Sequence, residues 1–360
     1  MMKKTISFLL PGSGYNPVGG FKVVYEYANR FVKDGYDVNV IYPTINFPEE
    51  KKLRLRIYSH LKKIYHTFTK KYSCKKWFNL DDKVREYWVY SLNEKNIPSS
   101  DFIIATSWET AEYLDKYTTL DSVNKLYLIQ HYENWSEDEI RLKKTWIAPL
   151  RKIVIAPWLQ GIAEQLGKSS VLIENGLDFE YFKLLEPIEE RNPLQLCMLY
   201  HELEWKGVNE GISAIEIVRK KYPDLKLDLF GVYDDPNLPD WVTYYKRPDK
   251  DVHIELYNKA SIFVAPSHME GFGLTAAEAM QCGCALACTD NGGYGVFCFH
   301  EKTALVSPVK DINALSENII RLIEDKQLRF RISKQGYEHI QNFTWESAYS
   351  KFKSLIAFNN

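Results

Sequence analysis

The chain has 360 residues, 45% of them hydrophobic and 26% charged, with a net charge of −1. This is the composition of an ordinary soluble globular protein, and the length is sufficient for two α/β domains that each bury a core. No run approaches the roughly 20 apolar residues that a membrane-spanning helix needs, so the sequence predicts no such helix.

The first ten residues mimic a signal peptide, since two lysines precede an apolar run that ends at Leu10. The run is too short for that role, and the turn residues Pro11 to Gly14 follow at once. We therefore interpret it as a first buried strand, which indicates a cytoplasmic protein.

Short apolar runs alternate with helix-like stretches along the whole chain, a pattern that favours parallel sheets with crossover helices. The predicted strands of the first half are Ile6–Leu10, Val38–Tyr42, Phe102–Ala105 and Leu126–Gln130. Those of the second half are Leu194–Leu199, Leu225–Phe230, Ile262–Ala265 and Ala285–Cys288. Helices are predicted over Val23–Lys33, Asn209–Lys220, Ile312–Glu324 and Trp345–Ala357.

Gly19 and Gly20 follow the first predicted strand and its loop, and they open a helix. The free N–H groups of a helix start attract anions, so the pair is suited to an anionic ligand. A simple turn is the commoner explanation of two glycines.

Residues 51–80 contain ten Lys or Arg and no Asp or Glu, leaving 36 basic and 47 acidic residues in the rest of the chain. Aromatic and aliphatic side chains recur in the same segment at helical spacing, at Tyr58, Leu61, Ile64, Tyr65, Phe68 and Tyr72. A basic amphipathic helix of this kind can lie on an anionic membrane face. The alternatives are a solvated helix whose aromatic face covers the core, or a nucleic-acid surface, although no nucleic-acid motif accompanies the charge.

A domain boundary fits near the sequence Ile155-Ala-Pro-Trp158. We expect domains over 1–157 and 158–343, with a final helix within 344–360 that packs back on the first domain because no later strand follows it. Two doubly wound domains would face each other across a cleft lined by the carboxyl ends of their strands.

The segment Glu270-Gly-Phe-Gly-Leu-Thr-Ala-Ala-Glu278 places two carboxylates on either side of a helix start. Gly271 and Gly273 let the backbone approach a ligand closely, and Thr275 is the predicted N-cap. The helix start offers a phosphate seat, and carboxylates accept hydrogen bonds from sugar hydroxyls, so the segment indicates a nucleotide-sugar site. Thr275 and Glu278 also fit a capping box, which is the structural alternative.

Neither the cysteines nor the acidic residues predict a metal site. Four of the six cysteines crowd into residues 282–298 without a zinc spacing, and Cys284 to Cys288 is typical of a buried strand. Asp249 and Asp251 match the Asp-x-Asp letters of metal-dependent transferases, but they precede a predicted helix, where such residues cap. We expect no metal and no other cofactor.

With these motifs assembled, the chain resembles the family-4 glycosyltransferases of the GT-B fold. The resemblance rests first on Glu270 to Glu278, which matches the family's E-x7-E element, and on Trp205-Lys206-Gly207. Weaker matches in the family's order are Gly19-Gly20, Gln130-His131, Glu174 to Asp178 and Asn291-Gly292-Gly293. The resemblance implies two Rossmann-like domains, an acceptor-side domain over 1–157 and a nucleotide-sugar donor domain over 158–343.

The resemblance also implies roles for single residues. Lys206 would pair with the donor diphosphate, Glu270 would hold the donor sugar, and Glu278 would accept from the ribose hydroxyls. His131 would touch the sugar at the reaction centre, and Gly19 and Gly20 would approach the diphosphate or the acceptor. The amides of the loop would face phosphate and sugar at Gly271, Phe272, Gly273 and Leu274.

The chain departs from the family at one phosphate-binding position. The usual arginine about five residues before the lysine is missing, and this region is Tyr200-His201-Glu202-Leu203. A protonated His201 or Arg247 could supply the missing charge.

The implied function is retaining, metal-independent sugar transfer from a nucleotide-diphosphate sugar to a glycan or lipid-linked acceptor in surface polysaccharide assembly. No nucleic acid is expected as a partner, and peripheral membrane contact is expected through 51–80. Two alternatives are a nucleotide-sugar epimerase of the same architecture and a non-catalytic nucleotide-sugar-binding protein.

Overall fold

The computed structural model of the chain describes residues 3–133, 138–234 and 237–357. The chain divides into two compact units, which we call unit 1 (Met1–Glu174 with Tyr349–Asn360) and unit 2 (Asn175–Ala348). Each unit is built on one parallel sheet with helices between the strands, so the predicted two-domain α/β fold class is confirmed.

Unit 1 contains a parallel seven-stranded sheet within the described residues, in the order β3-β2-β1-β4-β5-β6-β7. Its strands are β1 (Thr5–Leu9), β2 (Asp37–Pro43), β3 (Arg85–Val89), β4 (Phe102–Ala105), β5 (Lys125–Ile129), β6 (Arg151–Val154) and β7 (Ser170–Leu172). Its helices are α1 (Gly19–Lys33), α2 (Leu53–Thr69), α3 (Trp108–Asp115), α4 (Glu139–Ile147) and α5 (Pro157–Gln165). The central strands are largely apolar and buried because helices cover both faces of a parallel sheet.

Unit 2 contains a parallel six-stranded sheet within the described residues, in the order β10-β9-β8-β11-β12-β13. Its strands are β8 (Gln195–Leu199), β9 (Lys226–Gly231), β10 (Val242–Lys246), β11 (Ile262–Ala265), β12 (Ala285–Thr289) and β13 (Leu305–Ser307). Its helices are α6 (Val208–Lys221), α7 (Lys250–Lys259), α8 (Leu274–Gln281), α9 (Ile312–Glu324) and α10 (Lys326–Ile340). The core forms where α6, α9 and α10 pack on the buried strand residues.

The last helix, α11 (Trp345–Ala357), begins in unit 2 and contributes its residues from Tyr349 onward to unit 1. Phe352 is fully buried there and meets the rings of Phe8 and Tyr27 edge to face, at centroid distances of 6.4 and 4.7 Å. Residues 358–360 of the predicted 344–360 segment lie outside the described residues.

The unit boundary differs from the predicted one at 157. Unit 1 continues to Glu174, because α5 leads into β7 and β7 pairs in parallel with β6 (Lys152 opposite Ser170). Strands β6 and β13 were missing from the prediction, as were the edge strands β3 and β10. Both β3 and β10 mix polar and apolar residues, and a strand with only one hydrogen-bonded neighbour needs no continuous apolar run.

Helix α2 occupies the basic segment, but its apolar residues do not cover the core. Its one buried residue among those described is Ser59, whereas Leu61, Ile64 and Phe68 are exposed. The solvated-helix alternative, in which the aromatic face lies on the core, is therefore wrong. Within the described residues, no helix is both long enough and apolar enough to cross a bilayer.

Candidate functional site

Three loops meet at the carboxyl edge of the sheet in unit 2. They follow β8, β11 and β12, which are adjacent strands at the centre of the sheet. Strand order reverses between β8 and β11, and in open α/β sheets ligands bind outside the carboxyl ends of strands at such a switch point. Lys206 and the predicted segment Glu270 to Glu278 lie in these loops or directly after them, whereas the predicted Gly19 and Gly20 lie in unit 1.

The loop after β8 is folded so that Lys206 ends a short 3₁₀ turn, Glu204–Lys206. Gly207 then takes a left-handed conformation (φ 65°) and caps α6. A Cβ at Gly207 would lie 2.2 Å from the carbonyl oxygen of Pro266, so only glycine permits the close approach of the loop after β11. A hydrogen bond of 2.7 Å from the amide of His268 to the carbonyl of Trp205 fixes the contact.

Glu270 is the centre of the hydrogen-bond network. Its Oε1 accepts from Lys206 Nζ and from Ser267 Oγ, each at 2.8 Å. The side chains of Lys206 and Glu270 are only 21% and 12% exposed. A partly buried ion pair holds both groups in fixed positions, so the ammonium is oriented before any ligand arrives.

The loop after β12 is the third of the loops that form this site. Asn291 Nδ2 donates to the carbonyl of Ser267 at 2.9 Å, and a Cβ at Gly293 would lie 2.4 Å from the carbonyl oxygen of Glu270. This loop therefore packs directly on the one that carries Glu270.

Helix α8 begins without a side-chain cap. Its N-cap is Gly273, in the left-handed region at φ 93°, and no cap hydrogen bond from a side chain is formed within the described residues. The predicted N-cap at Thr275 is wrong, and with it the capping-box alternative for Thr275 and Glu278, because the helix already starts at Leu274. The free amides of the first turn are thus available to an anion.

The remaining residues of the predicted donor loop divide into buried and partly exposed groups. Phe272 is buried against the rings of Phe297 and Phe343, at 5.5 and 5.9 Å, so its side chain serves the core. Gly271 and Leu274 keep intermediate exposure. Glu278 lies in the second turn of α8 and is 6% exposed.

Two residues of this site were missed in the sequence. Ser267 bridges to Glu270, and Tyr294 packs so closely on Gly273 that a Cβ there would lie 2.4 Å from its ring. The signal for both was their position just after β11 and β12, where cleft residues occur in this architecture.

The missing arginine is not replaced by a protonated histidine. Burial, with the charge of Lys206 as the second cause, lowers the pKa of His201 to about 4, so the imidazole is neutral at pH 7. Its ring nitrogens lie 3.0 and 3.2 Å from the hydroxyl of Tyr233. Arg247 is exposed and donates from Nε to the carbonyl of Val232 at 3.2 Å, beside β9.

In unit 1, the predicted residues lie at the carboxyl ends of β1 and β5. Helix α1 begins at Gly19, and Gln130 Nε2 donates to the carbonyl of Gly20 at 3.1 Å. The next residue, His131, has intermediate exposure, and its ring meets that of Trp158 edge to face at 5.5 Å. The structure thus joins the start of α1 to the strand end that carries His131.

A carboxyl of unit 1 with a raised pKa was not predicted. Glu133 accepts a 2.7 Å hydrogen bond from the amide of Trp108, the first residue of α3. Burial, reinforced by the charge of Glu109, raises the pKa of Glu133 to about 8. Its only sequence signal was its place two residues after His131.

No group of three or more His, Cys, Asp or Glu among the described residues could hold a metal ion. Asp249 serves as the N-cap of α7, where Oδ1 accepts from the amide of Val252 at 3.0 Å. The ammonium of Lys206 lies 2.8 Å from Glu270, in the loop that leads into α8.

Residues 186–339 match the family model described as glycosyl transferases group 1. The match contains Lys206 and the whole segment from Glu270 to Glu278. This part of the chain is therefore similar to the glycosyl transferases of group 1.

Curated relatives carry the same description. The chain is 27% identical to the capsular polysaccharide biosynthesis glycosyltransferase CapM of Staphylococcus aureus, over 51% of this chain and 53% of the relative. It is 35% identical to an uncharacterised glycosyltransferase of Methanocaldococcus jannaschii, over 51% and 52%. The chain thus spans about half the length of the curated relatives it matches.

Solved structures share the fold over nearly the full length. A sucrose-phosphate synthase from Thermosynechococcus elongatus superposes with a TM-score of 0.70 at 18% identity, covering 98% of each chain. The Anabaena protein HepE, solved with UDP and glucose, gives a TM-score of 0.69 at 14% identity, covering 98% of this chain and 99% of that one. At these identities the likeness concerns the fold alone.

Proposed function

We propose that this protein is a retaining, metal-independent glycosyltransferase. It would move a sugar from a UDP-, GDP- or dTDP-linked donor to a glycan or lipid-linked acceptor in surface polysaccharide assembly. The observation that carries the proposal is the Lys206–Glu270 pair next to the uncapped start of α8. We propose a cytoplasmic location with peripheral membrane contact through residues 51–80.

The donor diphosphate would lie against the first-turn amides of α8 and the ammonium of Lys206. Both stabilise the negative charge that develops on the leaving group, and a fixed cation does so without a metal ion. Because Glu270 already holds Lys206 at 2.8 Å, little reorganisation is needed when the charge forms. The second oxygen of Glu270 would accept from donor-sugar hydroxyls, and Glu278 from the ribose.

Transfer would proceed on one face of the sugar. The bond between the anomeric carbon and the diphosphate oxygen breaks, the acceptor oxygen bonds to that carbon on the same face, and the acceptor proton passes to the departing diphosphate. Retaining hydrolases instead place two carboxylates beside the bond as nucleophile and acid. In this scheme neither Glu270 nor Glu278 reacts, so both can bind ligand.

The decisive experiment measures donor consumption with and without acceptor, for the wild type and for Glu270→Ala. We expect consumption that requires acceptor and that falls about 100-fold or more in the variant. Glu317→Ala removes an exposed carboxylate of α9 and is the matched control, with activity expected near the wild-type value.

Each alternative gives a different result in the same assay. An epimerase would convert donor without acceptor, and a non-catalytic protein would bind donor without consuming it. Full activity of Glu270→Ala would remove that residue from the proposed site.

Three further measurements refine the proposal. A thermal-shift screen with UDP, GDP and dTDP sugars identifies the donor. The anomeric configuration of the product by NMR tests retention, and an unchanged rate in EDTA is expected if no metal takes part.

A further inference from the structure

Helix α2 presents its apolar side chains to solvent. Five of them form one line along the helix at intervals of three or four residues, which we call the apolar stripe. Their exposed fractions are 68% for Leu53, 53% for Ile57, 62% for Leu61, 56% for Ile64 and 84% for Phe68. With 3.6 residues per turn, these positions share one face of the helix.

The opposite face of α2 lies against the body of unit 1 and is mostly polar, and the apolar Leu55 on it is 44% exposed. Ser59 is buried, and the ring of His66 stacks on that of Trp88 at 5.4 Å. At 100° per residue, Ser59 and His66 lie about half a turn from the apolar stripe. An amphipathic helix of a globular protein normally buries its apolar face, and α2 does the reverse.

Positive charge surrounds the stripe. Residues 51–80 carry ten Lys or Arg and no Asp or Glu, and Arg54, Arg56, Lys51 and Lys52 are all exposed. Tyr58 and Tyr65 flank the stripe and are 63% and 52% exposed. Tyrosine suits a membrane–water interface because its ring is apolar and its hydroxyl is polar.

We propose that the apolar stripe of α2 binds an anionic lipid bilayer, with the stripe in the acyl boundary and the basic residues at the headgroups. The stripe supplies apolar area and the lysines and arginines supply attraction to anionic lipid, the two contributions that bind interfacial helices. A second copy of the chain fits this face poorly, since a symmetric contact would set one all-basic segment against another.

This inference rests on the peripheral location proposed above and specifies the side chains and the lipid that produce it. In the proposed assembly role, a docked α2 would keep the enzyme at the surface where lipid-linked acceptors are found.

The test is co-sedimentation of the full chain with vesicles of phosphatidylcholine alone or mixed with phosphatidylglycerol. We expect binding to the mixed vesicles and about tenfold less to the neutral ones. Raising the salt from about 0.05 to 0.5 M should weaken binding, because it screens the basic residues.

Two double variants separate the stripe from general surface hydrophobicity. Leu61→Ser with Phe68→Ser should weaken binding to mixed vesicles about tenfold or more. Ile140→Ser with Leu185→Ser is the matched control, since those side chains are 70% and 63% exposed elsewhere, and binding should stay within about twofold. Both should melt at the wild-type temperature because all four side chains are exposed.

Three outcomes would overturn the inference: equal binding to both vesicle types, undiminished binding by the stripe variant, or a dimer in sedimentation that the stripe variant abolishes. Glu270→Ala distinguishes this failure from failure of the proposed transfer. That variant should bind vesicles normally while losing transfer, and the stripe variant should transfer normally to a water-soluble acceptor.

Discussion

The starts of helices α8 and α3 are built in opposite ways. The start of α3 is filled by the protein's own groups: Ser107 and Thr110 form a capping box, and Glu133 accepts from the amide of Trp108 at 2.7 Å. The start of α8 follows a left-handed glycine and receives no side-chain cap within the described residues.

The difference indicates which helix start is left for a ligand. Free N–H groups at a helix end are normally satisfied by a cap, by water or by a ligand. In α3 a carboxyl of the chain already takes the place that an anion would occupy. Within the described residues, no side chain caps the start of α8. The cation Lys206 is held by Glu270, in the loop that leads into this helix. An anionic donor is thus expected at α8.

Among the residues near the start of α8, we expect Lys206 to have the largest effect on transfer. We expect Lys206→Ala to lower kcat about 100- to 1,000-fold, because the charge that stabilises the leaving group is lost. Steady-state kinetics measure the effect, and Lys220→Ala, at an exposed position of α6, is the control.

Loss of Lys206 also leaves Glu270 partly buried without its cation, so stability could account for a loss of activity. The double variant Lys206→Ala with Glu270→Gln removes both charges and should recover stability but not activity. Recovery of activity in the double variant would contradict a catalytic role for Lys206.

The glycine that opens α8 should tolerate no side chain. Gly273→Ala forces a Cβ into the left-handed region at φ 93° and within 2.4 Å of the ring of Tyr294. We expect a loss of about 2–5 kcal/mol in the free energy of unfolding, from backbone strain and overpacking together. Urea unfolding measures it, and a loss below about 0.5 kcal/mol would show that the loop is not constrained in this way.

Glu133, which accepts from the first amide of α3, should make the free energy of unfolding depend on pH. The pKa of Glu133 in the folded protein is about 8, above its ordinary value of 4.5, because burial and Glu109 favour the protonated form. The stability this group contributes is therefore full below pH 4.5 and is lost as pH rises through 8. We expect the free energy of unfolding to decline by an amount on the order of 2 kcal/mol. This is less than the roughly 5 kcal/mol that corresponds to the full pKa difference, because the site can relax when Glu133 ionises.

Glu133→Gln keeps an acceptor for the amide of Trp108 and removes the titration. Urea unfolding of both proteins from pH 4.5 to 8.5 should show the decline in the wild type but not in the variant. Parallel pH profiles would mean that Glu133 does not titrate in this range.

The smallest effect is expected at the cap of α3. Ser107→Ala removes an acceptor for the amide of Thr110 and should cost about 1 kcal/mol of stability. Leu274→Ser in α8 provides the comparison, because Leu274 is the first residue of a helix whose start has no side-chain cap within the described residues. A cost at Ser107 near zero would show that Glu133 and Thr110 alone satisfy the start of α3.

The fold could be predicted from the chain because the central strands are buried on both faces. Largely apolar runs mark β1, β4, β8 and β11, and the pair Gly19-Gly20 marks the start of α1. The edge strands β3 and β10 escaped prediction since their mixed composition reflects partial exposure. The boundary escaped too, because membership of β7 in the first sheet depends on a pairing with β6 that leaves no local signal.

The site residues in unit 2 were predicted from sequence motifs, but the motifs do not specify how these residues are arranged in space. Lys206 and Glu270 lie far apart in the chain and meet only because β8 and β11 are neighbours at the switch point of the sheet. The cap of α8 was misassigned to Thr275, because the sequence offers a threonine cap and a glycine cap only two residues apart. In the structure the N-cap is Gly273, whose backbone takes the left-handed conformation.

By itself, the sequence determined the parallel α/β architecture, the amphipathic period of α2 and the residue types of the donor loop, since each follows from local composition and spacing. Only the tertiary structure decided that the apolar stripe of α2 points to solvent and that His201 is neutral. The physical reason is the same in both cases: exposure and pKa depend on what the rest of the chain places around a side chain.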